Sequence, residues 1–484
     1  MRIPCRCSEA ASTSQRCAVP ASAGLRLNKA ALLRTRGNAQ QIKCIHPRIN
    51  SINAAAAVPI QLPGTQTSSV RSRPESVSGF HSDILGLGQA IVDLSSSVSD
   101  DVLCQFNLPK GGRRVITVDE RASVMETLDD IGAPSQVSAG GSLANTLVAV
   151  AKLARASGKD MRVLLGGSLG TDTLGQFFNS QMRKAGVRCL LDTHHHSSIH
   201  SHTQQQPIQE SRTQQQPMSM EGRAAAAGSG HTGTVMVLTT PDAQRSFLSF
   251  FTSEALSLSE RVRTAVRASR MVVMEGYMWE MPGAEQYIRE VQELAHAAGV
   301  QVAMTAGDPG VVSRHRDAML RVISHGVDLL FTNEDEATAL VGQLPDGGND
   351  GKARTSSQGA RVAAALAELC PVVVVTAGSK GSYIGAMGEL HVVPPYWLPQ
   401  GPVDTCGAGD AYAAGWLFSM LAGYGIRTAG EFASRVASAV IGRYGPHLSD
   451  EDAEGLVRDL PANLGTVQVQ LRNMELGAGD FADF

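Results

Sequence analysis

The chain has 484 residues, with 42 Lys and Arg against 45 Asp and Glu, and 43% of its residues are hydrophobic. That length suits one large α/β domain or two domains, and the hydrophobic content excludes wholesale disorder. The formal net charge of −3 argues against a dedicated nucleic-acid-binding protein, and the apolar runs are too short to span a bilayer. We therefore predict a soluble globular protein that binds neither nucleic acid nor a membrane.

The charge is unevenly distributed along the chain. Residues 1–74 contain eleven Lys and Arg but a single acid, Glu9, so this segment carries +10 and the remainder −13. An Arg-rich, Ser-rich and acid-poor segment is typical of an organelle transit peptide. We predict a disordered transit peptide over residues 1–78, with the plastid favoured as its destination and the mitochondrion or cytoplasm as alternatives. An ordinary disordered tail is the other interpretation.

From residue 83 the sequence alternates between short apolar runs and amphipathic segments. The apolar runs are typical of buried strands and lie at 83–88, 162–167, 271–277, 300–305, 328–333 and 371–378. The amphipathic segments predict helices at 141–157 and 174–182 and near 284–298, 314–324, 334–342 and 358–369. This alternation predicts an α/β fold with a doubly wound, mostly parallel sheet and helices on both faces.

Three segments depart from the alternating pattern. Residues 193–230 form a low-complexity insertion rich in His and Gln, and residues 343–357 form a Gly-, Ser- and Asp-rich loop insertion. Residues 232–251 predict a β-hairpin, which beside a parallel sheet suggests a small β lid. The folded domain is expected to span 79–460, followed by a C-terminal tail at 461–484.

The most informative segment is 403–423. Gly407, Ala408 and Gly409 form a flexible turn before an apolar run that predicts a buried helix. Such a turn presents free backbone N–H groups at the positive end of the helix dipole, which suits phosphate oxygens. Asp410 at this turn is either a general base for an attacking hydroxyl or only a complement to the helix dipole. The residues alone leave both interpretations open.

A second glycine turn lies upstream, where Gly140 and Gly141 precede a predicted helix that carries Asn145 one turn in. Paired glycines allow close approach of a ligand, and Asn145 offers both a donor and an acceptor; a purely structural helix start is the alternative. Asp93 follows the first predicted strand and is placed to accept hydrogen bonds from sugar hydroxyls. The sequence has neither a dinucleotide-binding fingerprint nor a P-loop, so an ATP site must be built differently.

Together these motifs resemble the PfkB/ribokinase family of carbohydrate and nucleoside kinases over about residues 83–460. DTCGAGD (404–410) and AGGSLAN (139–145) resemble its two signatures. TNEDEA (332–337) matches its N-x-x-E element, and VTAGSKGS (375–382) resembles its nucleotide-site turn. The resemblance implies a ribokinase-like α/β fold and a phosphotransferase that uses ATP and Mg²⁺.

The resemblance also implies a role for each matching residue. The implied site comprises the base Asp410; an anion hole of Gly407, Ala408 and Gly409; an acceptor site of Asp93, Gly140, Gly141 and Asn145; a nucleotide site of Thr376, Gly378 and Gly381; Asn333 and Glu336 for Mg²⁺ held through water; and Asp404 for a monovalent cation such as K⁺. Asp308 is a further candidate to face the phosphates.

Two residues depart from the family pattern. Trp416 occupies a helix position that usually has a smaller apolar residue. Cys406 lies within the anion-hole loop, where we favour the interpretation of a small residue that merely fits. The alternative is a redox-sensitive thiol whose pKa the helix N-terminus lowers.

The lid and the segments TPDAQRSF and EGYMWEMPGA look most like the adenosine-kinase-like branch. The implied reaction is therefore transfer of the γ-phosphate of ATP to the primary hydroxyl of a ribonucleoside, with adenosine first. A fructokinase- or ribokinase-type sugar kinase is the alternative, and the enzyme is expected to be a monomer or a homodimer. Some plastid members are non-catalytic partners of the transcription machinery, but the intact Asp410 favours an enzyme.

Overall fold

The structure is a computed structural model. It describes residues 81–132, 135–193, 230–242, 244–251, 255–342 and 357–460. The predicted transit peptide, most of the two predicted insertions and the predicted tail lie outside these residues, so those predictions stay untested.

A nine-stranded sheet forms the centre of the fold, in the order β14-β13-β12-β11-β10-β9-β1-β5-β6. Its strands are β1 Ser82–Gln89, β5 Val163–Leu169, β6 Val187–Thr193, β9 Ser269–Met274, β10 Gln301–Thr305, β11 Leu329–Asn333, β12 Val372–Thr376, β13 Ser382–Ala386 and β14 Glu389–Val393. Seven neighbouring strands pair in parallel, in the order β12-β11-β10-β9-β1-β5-β6. Strands β13 and β14 extend the sheet beyond β12 in antiparallel pairing. The predicted mostly parallel sheet is confirmed.

Helices connect the parallel strands and cover the sheet. They are α1 Asp100–Gln105, α2 Val118–Asp130, α3 Ser142–Ala156, α4 Thr173–Ala185, α5 Glu260–Arg267, α6 Ala284–Ala297, α7 Pro309–Gly326, α8 Glu334–Val341, α9 Gln358–Ala367, α10 Ala408–Leu421, α11 Ile426–Ile441 and α12 Asp450–Arg458. The apolar strands are buried on both faces, which explains their continuous hydrophobic runs. No helix among the described residues is long and apolar enough to cross a membrane.

A second sheet of five strands has the order β3-β8-β7-β2-β4. Its strands are β2 Ile91–Ser97, β3 Arg113–Val115, β4 Ser135–Gly140, β7 Gly233–Thr239 and β8 Arg245–Phe250. Strands β7 and β8 form the predicted antiparallel hairpin, but three strands that the sequence did not predict complete the sheet.

The position of Asp93 differs from its prediction. It lies within β2 of the second sheet rather than directly after a strand, because only Ala90 separates β1 from β2. The apolar stretch at the start of the domain therefore crosses from one sheet to the other without a loop. Gly141 alone likewise separates β4 from α3.

Trp416 lies in the core behind the anion-hole loop. Its side chain is fully buried and meets the Phe331 ring edge-on, with 6.5 Å between the ring centroids. Phe331 belongs to β11, which ends in Asn333, so the large indole supports the strand that carries a predicted metal-site residue.

Candidate functional site

The predicted anion hole is the start of helix α10. Gly407 caps the helix with φ +75° and, being a glycine, has no side chain to accept a hydrogen bond from the first turn. The backbone N–H of Ala408 reaches Thr405 at 3.3 Å, whereas those of Gly409 and Asp410 belong to the first turn, where a helix offers no acceptor. Two donors at the positive end of the dipole thus remain for an anion.

Asp410 lies in the same turn, and its carboxylate is held by side chains from the upstream glycine turn. Ser142 Oγ donates to Asp410 Oδ1 over 2.6 Å, and Asn145 Nδ2 donates to Asp410 Oδ2 over 3.2 Å. Burial raises the pKa of Asp410, and these two hydrogen bonds oppose the rise. The two signatures, more than 260 residues apart, therefore meet at one carboxylate.

The structure gives Asn145 a contact that the sequence did not predict, since its amide holds Asp410. Ser142 was not predicted at all. Its only sequence signal is its place in the first turn of α3, directly after Gly141.

Asp93 lies beside the glycine turn of the acceptor site. A Cβ atom on Gly140 would lie 2.0 Å from Asp93 Oδ2, so the carboxylate occupies space that only glycine leaves open. Burial and the nearby Asp410 carboxylate raise the pKa of Asp93 to about 6. Three predicted acceptor residues, Asp93, Gly140 and Asn145, are thus brought together with Asp410.

Glu275 is a further residue that sequence reasoning missed. It follows β9 and is almost fully buried; its carboxylate accepts hydrogen bonds from the backbone N–H of Gln89 at 2.9 Å and of Leu143 at 3.2 Å. Burial raises its pKa to about 7, and Asp410 contributes to the rise. One carboxylate thereby ties the end of β1 to the start of α3, which carries Ser142 and Asn145.

The predicted metal-site residues form a reciprocal helix cap. Asn333 ends β11, and its side chain accepts from the Glu336 N–H at 2.8 Å, while Glu336 accepts from the Asn333 N–H at 2.9 Å and amide at 2.8 Å. Burial raises the pKa of Glu336 to about 7, with smaller contributions from Asp308 and Asp410 among others. Glu336 therefore faces the same acidic region as the candidate base.

The predicted nucleotide turn lies on the neighbouring strand. Thr376 ends β12 directly opposite Asn333 in the parallel register, and a short 3-10 turn from Gly378 to Lys380 follows. After Gly381, Ser382 Oγ and Tyr412 Oη lie 2.7 Å apart, which ties this turn to helix α10. The nucleotide turn, the predicted metal residues and the anion hole are therefore linked through α10 and β11.

Two arginines of the second sheet reach carboxylates at the site. Arg113 in β3 donates to Asp308 over 3.2 Å, and Arg245 in β8 donates to both oxygens of Asp404 over 3.0 and 3.1 Å. The first pair gives Asp308 a partner, whereas its predicted role toward phosphates stays untested.

The electrostatics of Cys406 favour the simpler of its two interpretations. Its pKa is raised, not lowered as a redox-sensitive thiol at a helix N-terminus requires, because desolvation and the carboxylates of Asp404 and Asp410 disfavour the thiolate. The alternative of a redox-sensitive thiol therefore gains no support.

A small cavity of about 70 Å³ lies where the two sheets meet. It is lined by Gln89, Ile91, Arg113, Gly141, Ser142, Phe251, Glu275 and Tyr277. Arg113 lies over the rings of Phe251 and Tyr277, at 5.8 and 5.7 Å from their centroids. Ligand sites usually measure about 300–1,000 Å³, so this cavity is smaller than most of them.

The chain is similar to known kinases in sequence and in structure. The sequence pattern of the pfkB family carbohydrate kinases matches residues 225–453. A nucleoside kinase from Methanothermobacter thermautotrophicus is 29% identical over 193 residues, which make up 38% of this chain and only 62% of that protein. The ribokinase of Bacillus subtilis is 24% identical over 335 residues, 68% of this chain and 90% of its own length.

Among solved structures, the adenosine kinase from Sinorhizobium meliloti is similar with a TM-score of 0.58 and 28% identity. The match covers 78% of this chain and 99% of that protein. The predicted ribokinase-like α/β fold is confirmed by this similarity.

Proposed function

The chain contains a PfkB-family carbohydrate kinase domain, a phosphotransferase domain, and on that premise we propose that it transfers the γ-phosphate of ATP to a primary hydroxyl of a ribonucleoside or sugar. One observation carries the proposal. Asp410 lies at the open N-terminus of α10, and its carboxylate is held by Ser142 and Asn145 from the first turn of α3. This arrangement joins a proton acceptor to phosphate-binding N–H groups, which is what phosphoryl transfer requires of a protein.

In this proposal Asp410 accepts the proton of the acceptor hydroxyl as that oxygen attacks the γ-phosphorus, and the bond from the γ-phosphorus to the β–γ bridging oxygen breaks and releases ADP. Ser142 and Asn145 keep both carboxylate oxygens oriented, and the N–H groups of Gly409 and Asp410 stabilise the charge that develops on the transferred phosphate. Asp93 binds acceptor hydroxyls from the second sheet. The carboxylate of Asp410, the backbone N–H donors of α10 and the substrate-binding Asp93 thus have separate tasks at one site.

Mg²⁺ fits the acidic residues of the site if it arrives with the nucleotide. The described residues contain no group of three or more His, Cys, Asp or Glu that could hold a metal ion by themselves. Mg²⁺ usually keeps several waters and binds one or two carboxylates plus substrate phosphates, so Glu336 and Asn333 would hold it through water. When bound there, Mg²⁺ supplies positive charge to the phosphates amid carboxylates whose pKa values are raised.

Within this reaction we favour an adenosine-like acceptor. The rings of Phe251 and Tyr277 line the cavity next to Ser142 and provide apolar surface for a base. The similarity to a nucleoside kinase and to an adenosine kinase supports the same choice. A ribokinase- or fructokinase-type activity is the second candidate, supported by the similarity to a ribokinase over most of that protein. The ratio of kcat/KM for adenosine to that for ribose and fructose decides between the two.

The test measures ATP turnover by the purified chain with Mg²⁺ and a panel of nucleosides and sugars. Asp410→Asn should lower kcat about 10²-fold or more with little change in nucleotide affinity. Asp242→Asn is the matched control, since Asp242 is an exposed carboxylate in the turn between β7 and β8 and pairs with Lys110. Absence of turnover with every acceptor, or equal kcat in Asp410→Asn and the wild type, would contradict the proposal.

We also propose that residues 1–78 direct the protein to the plastid, on the composition of that segment alone. A fluorescent fusion of residues 1–78 should co-localise with plastids. Mitochondrial or cytoplasmic fluorescence would contradict the assignment.

A further inference from the structure

The pair of Arg245 and Asp404 joins the second sheet to the anion-hole loop. The two guanidinium nitrogens Nη1 and Nη2 bind the two carboxylate oxygens separately, at 3.0 and 3.1 Å. Asp404 is buried, with 7% of its side chain exposed, whereas Arg245 is 35% exposed. A paired fork of this kind fixes orientation as well as charge.

Asp404 also accepts two backbone hydrogen bonds. Its Oδ1 accepts from the N–H of Cys406 at 3.0 Å, and its Oδ2 accepts from the N–H of Gly445 at 2.9 Å. An ionised carboxylate has about four acceptor positions, so the four donors saturate it. The carboxylate therefore organises the loop before α10 and the loop that contains Gly445.

A monovalent cation does not fit at Asp404 in this structure. The resemblance to the kinase family implies such a cation there. However, the Arg245 guanidinium already neutralises the Asp404 carboxylate, so a cation would have to displace the guanidinium. The guanidinium fork and the two backbone N–H groups already occupy both oxygens of Asp404. The site is therefore already charged and paired without an ion.

We infer that Arg245 takes the place of the monovalent cation, so that this chain orders its anion-hole loop without K⁺. The inference rests on the proposed function only in assuming that this loop serves phosphate transfer. Because Arg245 belongs to β8, the charge that orders the loop is delivered by the second sheet. The loop is thus complete only when that sheet lies against it, which makes Arg245 a positioning residue.

Thermal unfolding of the full chain in KCl, NaCl and choline chloride at equal ionic strength tests this inference. A cation that binds only the folded state raises Tm with concentration. The wild type should show the same Tm in all three salts, whereas Arg245→Gln should unfold at lower temperature in choline chloride. KCl should then raise the Tm of Arg245→Gln by about 2–4 °C, because K⁺ can reach the vacated carboxylate.

Two further variants complete the test. Arg245→Lys keeps the positive charge and should remain indifferent to K⁺. Arg114→Gln is the matched control. Arg114 lies in the same sheet, and its side chain is 33% exposed. It pairs with Glu120 at 2.6 Å and not with Asp404. The Arg114→Gln variant should lose stability without acquiring a response to K⁺. If Arg245→Gln does not fold, the wild type and Arg245→Lys still decide the outcome.

A wild-type Tm that rises in KCl but not in choline chloride would overturn the inference, as would an Arg245→Gln variant that ignores K⁺. Initial rates provide the second measurement, since K⁺ should stimulate Arg245→Gln and leave the wild type unchanged. The unfolding data need no turnover, so an inactive protein would contradict the proposed kinase activity while leaving the cation result readable.

Discussion

Removing the hydroxyl of Ser142 should change the pH at which the proposed kinase activity is lost in acid. Ser142 Oγ donates to Asp410 over 2.6 Å, the length of a hydrogen bond to an ionised carboxylate. Such a bond contributes about 1.5–3 kcal/mol, and 1.4 kcal/mol corresponds to about one pH unit. The bond favours the ionised form, so Ser142→Ala raises the pKa of Asp410 further. The acid limb of kcat/KM should therefore move to higher pH by about one to two units.

The assay is a pH–rate profile of kcat/KM with saturating Mg²⁺ and ATP. Thr146→Val is the matched control, because Thr146 Oγ1 donates to the backbone carbonyl of Asp410 at 3.2 Å and not to its carboxylate. It should lower stability while leaving the acid limb in place. An unshifted limb in Ser142→Ala, or an equal displacement in both variants, would refute the assignment of Asp410 as the base held by Ser142.

Two further predictions concern stability. Gly407→Ala should lower the free energy of unfolding by about 1–3 kcal/mol, because the φ of Gly407 is +75° and a Cβ atom there would lie 2.5 Å from Pro446. Gly409→Ala should leave the free energy of unfolding unchanged, because a Cβ atom there would meet no atom within 4 Å. Thermal unfolding of the pair checks this, and equal losses would count against it. Folding raises the pKa of Glu275 and of Glu336 from 4.5 to about 7. The folded state therefore holds these two protons more tightly than the unfolded state, and the stability gained in this way is present below pH 4.5 and is lost as the pH rises to about 7. Urea unfolding should therefore show stability falling between about pH 5 and pH 8, and a rising profile would contradict it.

The sequence predicted the parts of the site that are local in the chain. Gly407 to Asp410 form a glycine turn and the first turn of one helix, as backbone rules predict, whereas the role of this turn as an anion hole stays a prediction. Six strands of the central sheet, β1, β5 and β9 to β12, were predicted because their continuous apolar runs are typical of strands buried on both faces. The sequence analysis missed β6, β13 and β14.

The remaining features depend on contacts between distant segments. Ser142 meets Asp410 and Glu275 meets Leu143 only because α3, α10 and β9 converge at one edge of the fold. The crossing at Ala90 was missed because a period of two or an apolar run does not show which sheet a strand joins. The three-residue strand β3 is too short for any periodicity, although it carries Arg113.

The single-residue crossings at Ala90 and Gly141 have a thermodynamic consequence. Asp93 and Gly140 belong to the second sheet, whereas Asp410 belongs to the helices that cover the central one, so an acceptor bound to all three must bridge the crossings. A ligand that binds more tightly at one angle between the sheets raises the population of conformations with that angle. By linkage, a substitution that favours the same conformations raises the affinity for the ligand. Substitutions far from the bound substrate that alter this conformational equilibrium should therefore change its Kd without contacting it.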